Sequence, residues 1–302
     1  MKRKIVSIII LIILLFNASI IGYTFKDSIV DFVDIIKRTP STLETNNYIN
    51  NVIPNTFNIT DNFEPNNYQD LINIYFTVLS SGMNEFTFYC SKEYKECIDD
   101  IKIITSDDKT LSAINNFVHT YNSFKKIRTK YSENGKVVII IDKLYSKETI
   151  NEINLKVEEI YNDIYRENKS IEENIKYIHN YIINNTKYDI DYINENSLIP
   201  SNTAYGPLFY NKAICSGYTD LMSLFLYKMD IPNYKISNDK HIWNYIYLNN
   251  EWLHLDLTWN DPVQPNNEDV LRYYFFLVNK DELYMHDKDD VHIFDKAMYE
   301  KN

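Results

Sequence analysis

One cysteine, one histidine and one aspartate of this sequence have side chains suited to nucleophilic acyl transfer. Cys215 lies in AICSGYTDLMSLFLYKMDIP, His241 in KHIWNYIYL and Asp256 in EWLHLDLTW. In such a triad the thiol is the nucleophile, the imidazole carries its proton, and the carboxylate orients and supports the imidazole. We therefore predict that Cys215, His241 and Asp256 form a catalytic triad, which requires elements that bring them together.

Cys215 is predicted to lie near the N-terminal end of a buried helix. The segment from Leu221 to Met229 is nearly all apolar, and Pro232 ends it. A helix N-terminus favours a thiolate and can hold a developing oxyanion through its free N–H groups. Gly217, in the first turn, is expected to leave room for a substrate. On this segment alone, an inert buried cysteine is an equally good interpretation.

His241 and Asp256 are predicted to lie on the two strands of a β-hairpin. Two alternating segments flank Asn249-Asn250, a dipeptide suited to a two-residue turn. Such a turn pairs Trp243 with Asp256 and, two residues farther from the turn, His241 with Thr258. His241 and Asp256 are then diagonal neighbours on one face, about 7 Å apart at the backbone. The carboxylate can therefore accept a hydrogen bond from one imidazole nitrogen and leave the other nitrogen for the thiol.

The two faces of this hairpin have different compositions. The opposite face is mostly Ile and Leu and is expected to pack on the core. The titratable face carries His241, Trp243, Tyr245, Tyr247, Trp252, His254, Asp256 and Thr258. His254 is the rival base, but it lies nearer the turn and so is expected farther from the cysteine helix.

Two further interpretations of these side chains are weaker. His179 lies on an apolar helical stripe, which indicates a structural role. A zinc site of Cys215, His241, His254 and Asp256 lacks the paired short spacings of zinc ligands. We therefore predict no metal site.

Composition excludes several classes of protein. The 302 residues are 45% hydrophobic and 24% charged, with a formal net charge of −11. That charge argues against nucleic-acid binding, which needs a basic face. The five glycines form neither a GxGxxG fingerprint nor a P-loop, so nucleotide cofactors are not predicted.

The N-terminus predicts export. Basic residues at positions 2–4 precede an apolar run from Ile5 to Phe25, long enough as a helix for a hydrocarbon core of about 30 Å. The cationic start should stay in the cytoplasm, which places the rest of the chain outside. A retained anchor is favoured over a cleaved signal peptide, because small-x-small cleavage sites are poor here. Cys90 and Cys97 can form a disulfide outside the cell, or remain thiols in a reducing environment.

The chain is divided into four parts by composition and periodicity. We expect a membrane anchor or signal peptide at 1–25, a linker or stalk at 26–66, a small α+β domain at 67–145 and the catalytic domain at 146–302. The small domain contains a predicted hairpin at Asn134-Gly135. The catalytic domain begins with two helices, the second opened by a capping box of Ser170 and Glu173.

Three motifs resemble the bacterial transglutaminase-like superfamily. They are Ala-Ile-Cys-Ser-Gly-Tyr at 213–218, His-Ile-Trp-Asn at 241–244 and Trp-Leu-His-Leu-Asp-Leu-Thr-Trp at 252–259. The resemblance covers roughly Ser170 to Pro262. It implies a papain-like α+β fold in which a cysteine-bearing helix packs on an antiparallel sheet. It also implies Cys215 as nucleophile, His241 as base and then acid, and Asp256 as the orienting carboxylate.

The resemblance implies thiol acyl chemistry that needs no cofactor. The favoured hypothesis is a membrane-anchored extracellular cysteine enzyme that hydrolyses or transfers peptide or amide bonds in proteins or cell-wall material. One alternative is a protein-cross-linking transglutaminase, and another is a non-catalytic binding or scaffold module on the same fold. The expected partners are the substrate and, through the N-terminal helix, the membrane.

Overall fold

A computed structural model of the chain describes residues 38–263 and 270–300. The predicted membrane segment from Ile5 to Phe25 lies outside these residues. Across the described ranges, no helix is both long enough and apolar enough to cross a membrane. The fold has helices and antiparallel sheets, which confirms the predicted α+β class.

The first half of the described chain is built on a three-stranded antiparallel sheet with the strand order β1-β3-β2. Its elements are α1 (Tyr68–Ser81), β1 (Glu85–Tyr89), α2 (Cys97–Ser106), α3 (Asp108–Phe117), β2 (Phe124–Tyr131) and β3 (Lys136–Lys143). The predicted hairpin at Asn134-Gly135 is confirmed: Tyr131 pairs with Val137 and Gly135 has a φ of 87°. Glycine adopts this left-handed conformation without strain.

Cys90 and Cys97 form a disulfide between β1 and the start of α2. Of the three cysteines in the sequence, Cys215 is therefore the free one. Helix α2 begins at Cys97 itself. The Asp107 side chain accepts a hydrogen bond from the Lys109 N–H group and caps the start of α3.

Residues 38–66 form neither helix nor strand, and hydrogen bonds hold them against the rest of the chain. The Asn50 side chain donates to the carbonyl oxygens of Phe117 and Asn233, at 2.9 and 3.0 Å. Val52 and Phe57 are buried in the neighbouring core. This part of the predicted linker is thus anchored along its length, while the division of the chain into domains stays a prediction.

The second half begins with the helices that cover the cysteine helix. These elements are α4 (Lys147–Ile164), α5 (Ile171–Asn184), β4 (Lys187–Tyr188), α6 (Ile190–Ile193), α7 (Tyr205–Phe209), β5 (Lys212–Ala213) and α8 (Cys215–Lys228). The predicted capping box is confirmed, because Ser170 and Glu173 exchange hydrogen bonds with each other's backbone. The short strands β4 and β5 pair in parallel and lead directly into α8.

A four-stranded antiparallel sheet with the order β6-β7-β8-β9 packs beside α8. The remaining elements are β6 (Asn233–Ser237), β7 (Ile242–Leu248), β8 (Glu251–Leu255), α9 (Leu257–Asn260), β9 (Phe276–Val278), α10 (Lys280–His286) and α11 (Lys296–Tyr299). Asn249 and Asn250 have φ angles of 53° and 66°, which confirms the two-residue turn.

The predicted hairpin register is correct up to Asn244, which pairs with Leu255. The two predicted pairs beyond it, Trp243 with Asp256 and His241 with Thr258, are absent from the ladder. The reason is local: Asp256 is the N-cap of α9, so the chain turns away from β7 at this residue.

Both faces of this sheet take part in packing. The predicted core face contributes Ile246, Leu248 and Leu255 to a cluster with α4, α5 and α8. On the titratable face, Trp243 and Tyr245 join a cluster shared with the first half of the chain and with the C-terminal residues. Tyr247, nearer the turn, is 38% exposed.

Candidate active site

Cys215 is the first residue of α8 and is partly exposed. The N–H groups of a helix's first turn have no partner within the helix and point toward whatever lies at its end. Ile214, the N-cap, provides no side-chain hydrogen bond to them. The predicted position of the thiol at a helix N-terminus is therefore correct.

Gly217 has a different role from the one expected. A Cβ atom at this position would lie 2.3 Å from the Ser201 carbonyl oxygen and 3.1 Å from the Ala213 Cβ. The space beside Gly217 is thus filled by the protein's own backbone and not by a substrate. The glycine lets the segment before α7 cross the first turn of α8 closely.

Polar side chains fasten the first turns of α8 to strand β7. The Thr219 hydroxyl lies 2.8 Å from the Cys215 carbonyl oxygen and 3.1 Å from that of Ile242. The Asn244 side chain donates to the Thr219 carbonyl oxygen at 3.0 Å and to the Ser223 hydroxyl at 2.8 Å. Because Ile242 follows His241 directly, these bonds fix the cysteine end of the helix beside His241.

His241 is paired with Asp256 and lies near Cys215. Its Nε2 lies 2.5 Å from Asp256 Oδ2, and the two side chains are 5% and 1% exposed. The Cys215 side chain is close enough to contribute to the raised pKa of the imidazole. Since Nε2 is bound to the carboxylate, Nδ1 is the nitrogen left for the thiol. The structure therefore places the three residues in one region, and their role as a catalytic triad stays a prediction.

The protonation states of His241 and Asp256 depend on their contact with each other. Burial by itself would lower the pKa of His241, but the charge and hydrogen bond of Asp256, together with Cys215, raise the pKa above its ordinary value. Burial would raise the pKa of Asp256, whereas His241 and His292 hold the pKa of this carboxyl well below its usual range. The site thus favours an imidazolium next to a carboxylate.

His292 is a member of this cluster that sequence reasoning missed. Its Nε2 lies 2.8 Å from the same oxygen, Asp256 Oδ2, and its side chain is fully buried. It belongs to the segment between α10 and α11, far along the chain from the three motifs. Its flanking residues, Val291 and Ile293, carry no motif, so no spacing argument pointed to it.

Two other buried histidines have structural partners. His254 accepts a hydrogen bond from Trp243 Nε1 at 3.0 Å, and burial, followed by the charges of His292 and Lys280, lowers its pKa to about 3. His179 lies between two asparagine side chains, and burial lowers its pKa to about 4. Both rings are therefore neutral, in agreement with the secondary roles that the sequence predicted for them.

Three side chains of the types that bind metals lie close together here, and they are not the four residues of the zinc site considered above. Within residues 38–263 and 270–300, His241, Asp256 and His292 offer ligand atoms that all lie within 4.8 Å of one another. Both imidazole Nε2 atoms already bond to a single carboxylate oxygen. Hydrogen bonding therefore accounts for the arrangement.

A cleft of about 400 Å³ opens beside His241. Its lining combines rings and charges, including Tyr188, Lys240, Thr258, Trp259, Asp261 and Val291. Asp261 accepts a hydrogen bond from the Tyr218 hydroxyl at 2.5 Å. Burial raises the pKa of Asp261 to about 6, against the opposing effects of Tyr218 and Lys187. The cleft can therefore receive a polar chain next to His241.

Comparison with known proteins identifies the fold of this region. Residues 158–257 match the profile of a family described as the transglutaminase-like superfamily, and this span includes Cys215, His241 and Asp256. His292 lies outside it. No curated protein sequence matches the chain.

Solved structures give two distant similarities. One is the crystal structure of a TGase, with 14% identity over 45% of this chain and 44% of that one, and a TM-score of 0.33. The other is a candidate cysteine protease from Cytophaga hutchinsonii, with 13% identity over 48% of this chain and 65% of that one, and a TM-score of 0.29. The chain thus spans less than two thirds of either protein.

Proposed function

Because residues 158–257 belong to the transglutaminase-like superfamily, we propose that this protein is a cysteine enzyme that acts on peptide or amide bonds of protein or cell-wall substrates. One observation carries the proposal: the buried His241 imidazole is held by the Asp256 carboxylate through Nε2, next to the N-terminal end of the helix that begins with Cys215. A buried structural cysteine has no need of an oriented, charged imidazole.

Acylation begins at the Cys215 sulfur. The thiolate attacks the substrate carbonyl carbon, an S–C bond forms, and the carbonyl oxygen takes up the negative charge. The imidazolium of His241 then gives its Nδ1 proton to the departing nitrogen as the C–N bond breaks. The products are a free amine and a thioester on Cys215, while Asp256 keeps the ring oriented.

The oxyanion of this step forms at the N-terminal end of α8. The N–H groups of Gly217 and Tyr218 bond to the Ile214 carbonyl oxygen, so we propose the backbone N–H groups of Cys215 and Ser216 as the donors to the oxyanion. Donors of this kind typically contribute about 100-fold or more to the rate. This arrangement requires the thiol at the first helical residue, which is where Cys215 lies.

Deacylation returns the free enzyme. Neutral His241 removes a proton from an attacking water or amine, a new C–O or C–N bond forms, and the C–S bond breaks to release the thiolate. Water as acceptor gives hydrolysis, which we propose as the main reaction. The Asp261 carboxylate in the cleft favours an amine as the second candidate acceptor, because it can attract an ammonium group.

We also propose that the catalytic region lies outside the cytoplasm. Basic residues followed by the apolar run from Ile5 to Phe25 support an exported, anchored chain. The Cys90–Cys97 disulfide supports the same compartment, since disulfides persist in oxidising environments. Cleavage of the chain by protease added to intact cells tests this, and full protection of residues 38–300 would contradict it.

The proposed chemistry is tested by the alkylation of Cys215 with iodoacetamide. We expect the wild-type thiol to react at least about 10-fold faster near neutral pH than the same thiol in His241→Ala, because the imidazolium holds the thiolate. Cys90 and Cys97 are protected by their disulfide. Equal rates in the two proteins would overturn the proposal.

Hydrolysis and cross-linking are separated by the acyl acceptor. A labelled primary amine is incubated with the enzyme and a glutamine-bearing protein, and both incorporated label and released ammonia are measured. Ammonia release without label indicates hydrolysis. Label incorporated in proportion to the ammonia released indicates transamidation.

A further inference from the structure

Three hydrogen bonds hold the Asp256 carboxylate. Oδ1 accepts the Trp259 backbone N–H at 3.2 Å, as the N-cap of α9. Oδ2 is shared by two imidazoles, with His241 Nε2 at 2.5 Å and His292 Nε2 at 2.8 Å. A triad needs one imidazole on this carboxylate, so the second imidazole calls for an explanation.

His292 cannot itself reach a substrate. Its side chain has no exposed surface. Its ring stacks on Phe275 with centroids 4.6 Å apart and meets Trp243 edge-on at 5.0 Å. Any effect of His292 on the reaction must therefore pass through Asp256.

A second carboxylate holds His292 in place. Asp287 accepts the His292 backbone N–H at 2.8 Å and the Val291 backbone N–H at 3.1 Å. One of its oxygens also lies 3.4 Å from His292 Nδ1. No hydrogen bond is formed at that nitrogen, so Asp287 holds the His292 ring in place through the backbone of its segment.

Asn238 joins this segment to the turn before His241. Its side-chain amide donates to the carbonyl oxygens of Val291 and Ile293, both at 2.7 Å. Its side-chain oxygen accepts the His241 backbone N–H at 2.9 Å. One residue therefore fixes the positions of His241 and of the backbone on both sides of His292.

We propose, on the basis of the function proposed above, that His292 is a positioning residue that locks the Asp256 carboxylate in the orientation that supports the His241 imidazolium. Without it, two hydrogen bonds instead of three oppose rotation of the carboxylate about its Cβ–Cγ bond. The counter-charge of the imidazolium is then less well oriented, and the thiolate beside it becomes less favourable. The segment after the family-matched residues 158–257 thus completes the active site.

The test is the rate of Cys215 alkylation by iodoacetamide as a function of pH, in the full-length chain. His292→Leu removes the donor, whereas His292→Gln places an amide N–H near the position of Nε2. His286→Leu, on α10, is the matched control. We expect His292→Leu to react about 10-fold more slowly near pH 6, which corresponds to about 1.4 kcal/mol. Above about pH 9 its rate should equal that of the wild type, because an ordinary thiol, with a pKa of about 8.5, is largely ionised at that pH.

His292→Gln is expected to recover most of the rate near pH 6, and His286→Leu to match the wild type throughout. A shift confined to the acidic side distinguishes positioning from general damage, which would lower the rate at every pH. A wild-type profile for His292→Leu would overturn the inference while leaving the proposed function intact. Loss of the difference between wild type and His241→Ala would instead overturn the proposed function.

A folding defect is handled by a second pair of variants. If thermal unfolding shows that His292→Leu is not folded, His292→Gln is compared with His292→Asn, whose shorter amide cannot reach the Nε2 position. We expect the Asn variant to lose rate near pH 6 and the Gln variant to keep it. Identical profiles for the two would overturn the inference.

Discussion

Two histidines on one face of the β7–β8 hairpin have opposite electrostatic behaviour. His241, at the open end, binds Asp256, and its pKa is raised. His254, in the middle, binds the Trp243 indole, and its pKa falls to about 3. Both side chains are buried. Burial is common to them, so the partner decides which ring is charged and which can do acid–base chemistry.

The largest expected effect on activity comes from removing His241, the histidine whose ring is charged. His241→Ala should lower kcat/KM on the order of 10⁶-fold, because the nucleophile, base and carboxylate act as a unit. The buried Asp256 carboxylate loses one of its partners in this variant, so a lower thermal stability is also expected and activity is measured below the unfolding transition. Activity of His241→Ala within 10-fold of wild type would mean that the open end of the hairpin is not catalytic.

Asp256→Asn tests the carboxylate that binds His241 and leaves the imidazole ring of His241 in place. The amide keeps the shape but removes the charge that holds the imidazolium, and a loss of about 10⁴-fold in kcat is expected. The residual activity should exceed that of His241→Ala. If the two variants were equally impaired, Asp256 would have no role distinct from maintaining the fold around His241.

The pH dependence of stability separates the two histidines next. A histidine whose pKa is lowered in the folded state destabilises the protein as the pH falls below the ordinary histidine pKa of about 6.5. His254 should therefore destabilise the fold on acidification, and His254→Gln should reduce the slope by about 1.4 kcal/mol per pH unit. Urea unfolding between about pH 6 and pH 4.5 measures this; an unchanged slope would mean that His254 is charged in the folded protein.

His241 should behave in the opposite way. Because its folded-state pKa is raised, its contribution to stability is complete below about pH 6.5 and is lost as the pH rises through the folded-state value. Asp256, with a lowered pKa, contributes above its ordinary value of about 3.9 and loses that contribution in acid. Asp256→Asn should therefore weaken the dependence of the unfolding free energy on pH at alkaline pH, whereas His254→Gln should weaken that dependence at acidic pH.

The smallest expected effect concerns the hydrogen bonds that fasten the first turns of α8 to strand β7, beside His241. Thr219→Val removes the hydroxyl between the Cys215 and Ile242 carbonyls and should cost about 1 kcal/mol of unfolding free energy. The alkylation rate of Cys215 should fall by a few fold, since the helix loses one of its fixings. A gain in rate would show that these hydrogen bonds hold Cys215 away from His241.

The sequence predicted those features that depend on local periodicity. The Asn249-Asn250 turn sets the pairing from Leu248 to Asn244. The Ser170 capping box and the helix that starts at Cys215 follow from similar short-range rules. The contact between His241 and Asp256 was expected, but it forms beyond the end of the ladder, where Asp256 caps α9.

Features that depend on contacts across the chain were not predictable in this way. His292 reaches Asp256 only after β9 and α10 have returned the chain to the sheet. The space beside Gly217 is taken by Ser201, which no spacing rule connects to it. The end of β8 was also missed, because Asp256 could equally extend a strand or cap a helix as short as α9.

The proposed chemistry requires that Asp256 hold His241 as a charged imidazolium next to the Cys215 thiol. A ¹⁵N NMR titration of the histidine rings in the wild-type protein measures this charge. We expect His241 to keep the signature of a doubly protonated ring well above about pH 6.5, the ordinary histidine pKa, while His254 stays neutral below it. A His241 ring that deprotonates at or below about pH 6.5 would overturn the proposed role of the pair.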